Sequence, residues 1–136
     1  MTPDQMAGLM ARAMPGARLW SAAEFAALVA RPGALVFGDG QACVIGQVVA
    51  DEAEIFLVLT DPEHRRQGLA RARLADFEGS ARGAGAGRVI LEVAADNAAA
   101  LGLYTAQGYR AFAARSGYYP RPTGDAVDAL MLERCL

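Results

Sequence analysis

The sequence is poor in residues that bind metals or form disulfides, with two cysteines and one histidine among 136 residues. Cys43 and Cys135 lie in or next to apolar segments and lack the spacing of metal ligands. We therefore predict buried free thiols rather than a disulfide, which fits a reducing compartment. Because soft ligands are so few, we expect no metal site. His64 has no serine or cysteine near it in the sequence, which disfavours a histidine-based catalytic triad.

Long apolar runs and an excess of one charge are also missing. No uninterrupted apolar run approaches the roughly 18 residues of a membrane span. The N-terminus also lacks a basic region followed by an apolar core. We therefore expect no signal peptide, no membrane association and a cytoplasmic location. The formal net charge is −2 with 21% charged residues, so we expect no direct nucleic-acid binding, and any anion site has to be local.

Apolar residues are abundant, at 54% of the sequence. A chain of 136 residues with this composition can bury a substantial core without cross-links, so we predict one globular domain over residues 1–136. Thr2 and Ser21 are the predicted N-caps of the first two helices. The predicted elements are helices over 3–13 and 21–30, strands over 34–37, 41–49 and 54–59, a helix over 68–82, a strand over 88–93, a helix over 98–106, and strands over 109–114 and 127–133.

The order of these elements predicts an α/β fold with a mixed central sheet. Hairpins in the first half pair antiparallel strands, whereas strand, helix, strand and helix alternate in the second half and imply a right-handed crossover. Ligands of such sheets usually lie at the carboxyl ends of the strands. The segment that follows the strand over 54–59 should therefore lie at a ligand-binding edge.

The segment Thr60–Ala70 carries the strongest functional signal. It leaves a strand at Asp61-Pro62, passes through Arg65 and Arg66, and enters a helix near Gly68. The first N–H groups of a helix have no intrahelical partner, so they form a ready site for an anion. Adjacent arginines are usually a solvated surface pair. Here the helix start favours phosphate, because backbone donors, helix dipole and guanidinium charge converge.

Two better-known phosphate motifs are excluded. Gly83, Gly85 and Gly87 precede a predicted strand, whereas the dinucleotide fingerprint follows a strand and opens a helix. The sequence contains no Gly-Lys-Ser or Gly-Lys-Thr, so it has no P-loop. The segment Thr60–Ala70 is left as the anion-binding candidate.

Four further sites combine polar groups with apolar surroundings. Glu92 interrupts an otherwise apolar strand, and it is either a solvent-facing end or a partly buried carboxylate suited to general base catalysis. Tyr104 is either ordinary core or a catalytic group, and Asn97 is either a helix cap or a ligand. The pair Tyr118-Tyr119 is predicted to lie in a loop, as a substrate lip or a packed strand connection. The residues alone leave these alternatives open.

Together these residues resemble the GNAT superfamily of acyl-CoA N-acyltransferases. Within it they are most similar to the RimI-like enzymes that acetylate the N-terminal alanine of a small-subunit ribosomal protein. The resemblance covers about residues 20–132, and its Arg/Gln-x-x-Gly-x-Gly/Ala element is specific for the superfamily. The motifs that carry it are Arg65-Arg66-Gln67-Gly68-Leu69-Ala70, Leu91-Glu92-Val93, Asn97-Ala98-Ala99-Ala100, Leu103-Tyr104, Gly108-Tyr109 and Tyr118-Tyr119-Pro120.

The resemblance implies the GNAT fold, a mixed and mostly antiparallel central sheet with helices on both faces, and acetyl-CoA as co-substrate. It implies Glu92 as the general base on the acceptor ammonium, directly or through water, and Tyr104 as the general acid that protonates the departing thiolate. Trp20, Tyr118 and Tyr119 would line the acceptor side. The implied cofactor-binding residues are Val58, Leu59 and Thr60 for the pantetheine amides, Arg66, Gln67, Gly68, Leu69, Ala70 and Arg71 for the pyrophosphate, and Asn97 near the thioester.

The function implied is therefore acetylation of a protein N-terminal α-amine, for example that of a ribosomal protein. Two alternatives stay open, namely acetylation of a small-molecule amine and a non-catalytic acyl-CoA-binding regulatory module. The second is motivated by Ala70 where glycine is commoner, by Arg73 where leucine is common, and by an expected start at the first helix without an opening strand. Because an uncovered sheet edge invites pairing, we expect a monomer or a weak homodimer.

Overall fold

The computed structural model describes residues 1–136 and contains four α-helices, one short 3₁₀ turn and six strands. The elements are α1 Pro3–Ala13, α2 Ala22–Val29, β1 Ala34–Gly38, β2 Ala42–Val49, β3 Glu52–Thr60, the 3₁₀ turn Pro62–His64, α3 Leu69–Gly83, β4 Arg88–Ala94, α4 Ala98–Ala106, β5 Arg110–Tyr119 and β6 Val127–Cys135. No helix combines the length and the apolar character that a membrane crossing requires.

The first two helices begin where their capping residues predict. Thr2 accepts from the N–H of Gln5, and Ser21 accepts from the N–H of Glu24, so both starts are capping boxes. Each cap satisfies N–H groups that would otherwise have no partner. Trp20 lies just before α2, and its ring packs against the ring of Phe25 in the first turn of that helix.

The six strands form one sheet in the order β1-β2-β3-β4-β6-β5. Every neighbouring pair is antiparallel except β3 and β4, which are parallel and are joined through α3. A parallel pair needs a crossover connection, which α3 supplies. The predicted mixed and mostly antiparallel sheet is therefore confirmed.

Helices cover both faces of the sheet. Cys43 and Ile45 pack with residues of α1 and α2, whereas Val44 between them packs with α3. Successive side chains of a strand point to opposite faces, so the two hydrophobic clusters lie on opposite sides of the sheet. The first cluster centres on Leu74, Phe77, Val89, Leu91 and Tyr104, and the second on Met6, Leu9, Phe25, Leu28 and Leu59.

The parallel pair β3 and β4 separates soon after it begins. Ladder pairs join Glu52–Glu54 to Arg88–Ile90, and no pair follows further along either strand. Near this point β3 carries a bulge, because Ile45 pairs with Leu57 while Gly46 pairs with Ile55. A bulge leaves one residue unpaired and increases the local twist, which turns the end of β3 away from β4. The result is a gap at the carboxyl ends of the two strands.

Two predictions were wrong. Strand β5 runs to Tyr119 rather than ending at residue 114, so Tyr118 and Tyr119 lie in a strand and not in a loop. Gly117, which suggests a turn, adopts a φ of 58° within an irregular stretch of β5, and its N–H donates to the Asp128 carboxylate at 2.9 Å. Both thiols are free, and Cys43 is buried as predicted. Cys135 is exposed, because it is the last residue of β6.

Candidate active site

The gap between β3 and β4 leaves two strand edges without partners. On β3 the edge runs over 55–60 and includes Val58, Leu59 and Thr60, which pair only with β2 on their other side. On β4 the edge runs over 91–94, which pairs only with β6. Strand edges expose backbone N–H and C=O groups, so an extended ligand that carries amides can pair with them.

The turn after β3 presents a row of free donors. The N–H groups from Arg65 to Arg71 donate to no acceptor in the protein. Arg66 and Gly68 have positive φ angles of 63° and 75°, so the chain doubles back before α3 begins at Leu69. The helix dipole adds partial positive charge at this end. The turn thus has unpaired donors at an exposed helix start, which are the groups that the predicted anion site requires.

The side chains of the turn differ in how they are held. Arg66 and Gln67 are exposed, and Ala70 is half-buried at the start of α3. Arg71 Nε donates to Gln107 Oε1 at 2.9 Å, which joins α3 to the end of α4. Arg73 Nε lies 3.3 Å from the Asp76 carboxylate on its own helix, where it is buried and makes no hydrogen bond.

The buried carboxylate of Asp61 stabilises the start of the turn. Asp61 accepts from the N–H of Glu63 at 2.9 Å and from Arg12 Nε at 3.0 Å, and Arg12 also donates to the Gly40 carbonyl at 3.2 Å. The Glu63 N–H and then Arg12 lower the pKa of Asp61. Sequence reasoning treated Asp61 only as the end of a strand, because its partner Arg12 lies 49 residues away.

Glu92 is neither deeply buried nor free in solvent. Its neighbours Leu91 and Val93 lie in the core with α3, so the Glu92 side chain points to the face that carries α1 and α2. Glu92 Oε1 accepts from the Tyr119 hydroxyl at 2.8 Å. Burial and the bond to this carboxylate raise the pKa of Tyr119 to about 12. Burial, followed by the charges of Glu52 and Glu92, raises the pKa of Glu54.

Tyr104 lies on the opposite face of the sheet. Its ring is buried in the cluster with α3, but its hydroxyl has no hydrogen-bond partner and still reaches solvent. Burial raises the pKa of Tyr104 to about 12. The ring packs 5.8 Å from that of Tyr109, whose hydroxyl donates to Glu78 at 2.8 Å. Glu78 also accepts from Arg134 at 2.7 Å, and sequence reasoning did not find this buried network.

The turn between β4 and α4 holds two polar residues. Asn97 Oδ1 accepts from the Ala100 N–H at 3.2 Å, so Asn97 caps α4, and its amide nitrogen has no partner. Asp96 accepts two hydrogen bonds from Arg121 at 2.7 and 2.8 Å. Asp96 and Arg121 lie 25 residues apart and carry no recognisable pattern, so sequence reasoning missed the pair.

The three predicted acceptor-side residues lie in two places. Trp20 is half-buried against Phe25, with ring centroids 5.4 Å apart. Tyr118 is 49% exposed and packs edge-on against Tyr119, with ring centroids 5.1 Å apart. Trp20 also lines a groove of about 360 Å³ on the face toward which Glu92 points. The residues that line the groove are Arg18, Trp20, Glu24, Ala27, Leu28, Arg31 and Phe56.

The sequence of this chain is similar to those of known acetyltransferases. Residues 16–109 match the model of the Acetyltransferase (GNAT) family. The chain is 41% identical over 92 residues to the [Ribosomal protein bS18]-alanine N-acetyltransferase of Escherichia coli (strain K12), a match that covers 66% of this chain and 62% of that protein. It is 34% identical over 97 residues to the N-alpha-acetyltransferase RimI of Mycobacterium tuberculosis (strain ATCC 25618 / H37Rv), covering 71% of this chain and 60% of that protein. The chain thus spans less than two thirds of these relatives.

Solved structures show the same architecture. The crystal structure of the ribosomal-protein-S18-alanine N-acetyltransferase from Escherichia coli superposes with a TM-score of 0.84 at 34% identity, covering 96% of this chain and 85% of that chain. Chaetomium thermophilum Naa20 in complex with a bisubstrate analogue superposes with a TM-score of 0.82 at 20% identity, covering 100% of this chain and 84% of that chain. At this lower identity the second likeness concerns the fold alone.

Proposed function

The chain belongs to the acetyltransferase (GNAT) family, and on that premise we propose that it transfers the acetyl group of acetyl-CoA to the N-terminal α-amine of a protein. The observation that carries the proposal is the gap between β3 and β4. It is continuous with the free N–H groups of the turn, and Glu92 and Tyr104 belong to opposite faces of the sheet. The bS18-specific relatives make the N-terminus of a ribosomal protein the first acceptor to test.

The unpaired groups fit the chemical parts of acetyl-CoA. The N–H groups over 66–71 would hold the pyrophosphate, because they are orphaned donors at a helix start. The open edge of β3 at Val58, Leu59 and Thr60 would pair with the amides of the pantetheine arm. The free amide nitrogen of Asn97 would lie near the thioester, at the end of β4. Acetyl-CoA is thereby a co-substrate rather than a resident cofactor.

Glu92 would act as the general base, directly or through one water. It takes a proton from the acceptor ammonium, and the neutral amine then attacks the thioester carbonyl carbon. An α-amine has a pKa near 7.7–8.0 against about 10.4 for lysine, so its deprotonation near neutrality is easier by about 3–4 kcal/mol. This difference favours an N-terminus over a lysine side chain as the acceptor.

Tyr104 would act as the general acid. When the new C–N bond has formed and the C–S bond breaks, the Tyr104 hydroxyl gives its proton to the departing CoA thiolate. Glu92 and the new amide nitrogen each release one proton to water and the tyrosinate takes one back, so one proton is released for each acetyl group transferred. A pKa of about 12 keeps this hydroxyl protonated at neutral pH, and its lack of a protein partner leaves it free to donate. Transfer is direct, since positioning the amine beside the thioester supplies much of the rate without a covalent enzyme intermediate.

The acceptor would enter from the face that carries the Trp20 groove. Trp20 lies at the start of α2, while Tyr118 and Tyr119 lie at the end of β5, so we propose that the acceptor backbone passes between these elements. A groove of about 360 Å³ is also large enough for a small-molecule ligand, which makes a small amine the second candidate acceptor. We propose further that residues 1–136 act as one domain, as a monomer or weak homodimer in the cytoplasm, where ribosomal proteins are made.

The test is release of free CoA thiol from acetyl-CoA in the presence of an alanine-started peptide. The matched control is the same peptide with a blocked N-terminus and an internal lysine. The protein itself contains no lysine, so it contributes no side-chain amine to the background. Thiol release with the free peptide alone supports the proposal. Release only with small amines would select the second candidate, and CoA binding without turnover on any amine would favour a non-catalytic module.

A further inference from the structure

Arg121 lies in the loop between β5 and β6, and each nitrogen of its guanidinium group donates a hydrogen bond. Nε and Nη2 donate to the two carboxylate oxygens of Asp96 at 2.8 and 2.7 Å, and Nη1 donates to the Pro120 carbonyl at 3.0 Å. The guanidinium carbon lies 5.8 Å from the centroid of the Tyr119 ring. A bidentate carboxylate and a stacked ring confine the orientation of an arginine as well as its place.

Tyr119 passes this restraint on to Glu92. Its hydroxyl donates to Glu92 Oε1 at 2.8 Å, and no protein group donates to Glu92 Oε2. A fixed Tyr119 ring therefore fixes the orientation of the carboxylate and leaves one oxygen free. Asp96 directly precedes Asn97, the N-cap of the helix that carries Tyr104. The ion pair consequently ties the strand end beside the proposed base to the helix of the proposed acid.

We propose that the Asp96–Arg121 ion pair is a positioning clamp, in which Arg121 stacked on Tyr119 holds the Tyr119 hydroxyl on Glu92 and leaves the free carboxylate oxygen aimed at the acceptor amine. The use of the clamp in catalysis rests on the proposed function, whereas the restraint on Glu92 is a property of the folded chain. The proposed reaction gives Asp96 and Arg121 no contact with the reacting atoms, so we treat them as positioning residues.

The effect of the Arg121 charge has to be distinguished from its effect on the orientation of Tyr119, because several charged groups surround Glu92. Glu54 faces it from β3, and Tyr119 faces it from β5, where Arg115 lies over the neighbouring Tyr118 ring. Opposite Glu92 on β6 stands Met131, which carries no charge. Loss of Arg121 can therefore affect Glu92 through its positive charge or through the orientation of Tyr119.

The direct test is a carbon-13 NMR titration of the Glu92 carboxyl in glutamate-labelled protein, assigned by loss of the signal in E92Q. We expect the midpoint in R121Q and in D96N to lie above that of the unmodified protein, since a carboxylate that loses a hydrogen bond is protonated more readily. R121K keeps the charge without the fork and the stacking, so we expect the same rise. The control is R110Q, which removes an arginine from a carboxylate pair at the other end of β5 and should leave the midpoint unchanged.

The Y119F background shows whether the clamp acts through the tyrosine hydroxyl. Y119F alone should raise the midpoint as much as R121Q does, and the double variant R121Q/Y119F should raise it no further. Three results would each overturn the proposal: an unmoved midpoint in R121Q, a normal midpoint in R121K, or an additional rise in the double variant. The last two would show that Arg121 acts only by charge.

Kinetics then tests whether the clamp serves the reaction. For an alanine-started peptide we expect kcat/KM to fall about tenfold in R121Q and D96N, a moderate loss for residues that affect orientation only. The KM for acetyl-CoA should stay unchanged, and the acidic limb of the pH profile should move with the NMR midpoint. Unchanged kinetics in both variants would remove the catalytic role. If the unmodified protein acetylates no amine, the proposed function fails, and the titration still decides the restraint on Glu92.

Discussion

At the residue scale, the two proposed catalytic groups are prepared in opposite ways. Glu92 is half-buried and is held by a donor, the Tyr119 hydroxyl. Tyr104 has a buried ring and a hydroxyl with no protein partner. Burial disfavours ionisation of a phenol and raises the pKa of Tyr104 to about 12. At neutral pH Tyr104 therefore carries the proton that a general acid needs, while Glu92 keeps one carboxylate oxygen without a protein donor.

Replacing Glu92 with glutamine should reduce kcat/KM for an alanine-started peptide by about a hundredfold or more, since a general base typically contributes this much. The deficit should narrow at high pH, where the α-amine is already neutral and needs no base. Measurement of the full pH profile checks this. E54Q is the matched control, because Glu54 is a nearby carboxylate on β3, and it should retain most of the activity. An E92Q enzyme with an undiminished rate at every pH would remove Glu92 from the mechanism.

Replacing Tyr104 with phenylalanine should lower kcat about a hundredfold and change the dissociation constant of CoA little, since the hydroxyl acts on the leaving group. Stability should be nearly unchanged, because this hydroxyl makes no hydrogen bond in the protein. Y109F is the control with the opposite pattern, since it removes a buried hydrogen bond to Glu78 and should reduce stability more than kcat. Equal losses of kcat and CoA affinity in Y104F would indicate a structural role.

At the element scale, the turn into α3 depends on backbone conformation more than on side chains. Arg65 and Arg66 carry charge, but the free donors are main-chain N–H groups that the positive φ angles of Arg66 and Gly68 direct outward. Glycine adopts such a φ without a steric cost. The affinity of the turn for CoA should therefore respond to a change at Gly68 that adds no charge and only a methyl group.

Gly68→Ala should lower the free energy of unfolding by about 1 kcal/mol and weaken CoA binding several-fold, because alanine disfavours a positive φ. A Cβ at this position meets no atom within 4 Å, so the cost is conformational rather than a clash. Gly79→Ala is the matched control within α3, also without a neighbour within 4 Å, and it should stabilise by about 0.5–1 kcal/mol with unchanged binding. Urea denaturation and titration calorimetry measure both effects, and tight CoA binding by G68A would contradict the role of the turn.

At the scale of the whole molecule, two polar junctions hold the elements of the site in register. The first is the buried Glu78, 3% exposed, which joins α3 to Tyr109 before β5 and to Arg134 on β6. Glu78→Ala should lower the free energy of unfolding by about 3–5 kcal/mol, because it leaves the partly buried Arg134 without its partner. Tyr109→Phe keeps the ion pair between Glu78 and Arg134, so it should lower the free energy of unfolding by only about 1 kcal/mol. Chemical denaturation of both variants checks the ranking, and equal losses would contradict it.

The second junction, Asp61 with Arg12, makes stability depend on pH. The pKa of Asp61 is lowered in the folded state, so its contribution is present above the unfolded pKa of about 3.9 and is lost as pH falls through the lower folded value. Asp61→Asn should reduce stability at neutral pH and flatten the decline below about pH 4. Urea midpoints between neutral and acidic pH measure this. D125N, in the exposed loop before β6, should keep the normal decline, and a D61N profile parallel to that of the unmodified protein would exclude the linkage.

Local signals predicted much of this fold and only part of the site. The caps Thr2 and Ser21 located α1 and α2, and Asn97 located α4, because a cap acts within three residues of itself. The turn over 60–70 was found for the same reason, since its glycine, arginines and helix start are adjacent in the chain. Tyr118 and Tyr119 were placed in a loop because Gly117 resembles a turn, whereas pairing with β6 extends the strand past it.

The sequence by itself determined the elements, the mixed sheet, the phosphate-type turn and the identity of Glu92 and Tyr104 as candidates. Only the tertiary structure decided that β3 and β4 separate after three paired residues, that the Tyr119 hydroxyl donates to Glu92, and that Arg121 pairs with Asp96. The physical reason is the distance along the chain over which each kind of interaction acts. Caps, turns and periodicity depend on neighbours within a few residues, whereas these contacts join groups 25 or more residues apart and form only when the whole core packs.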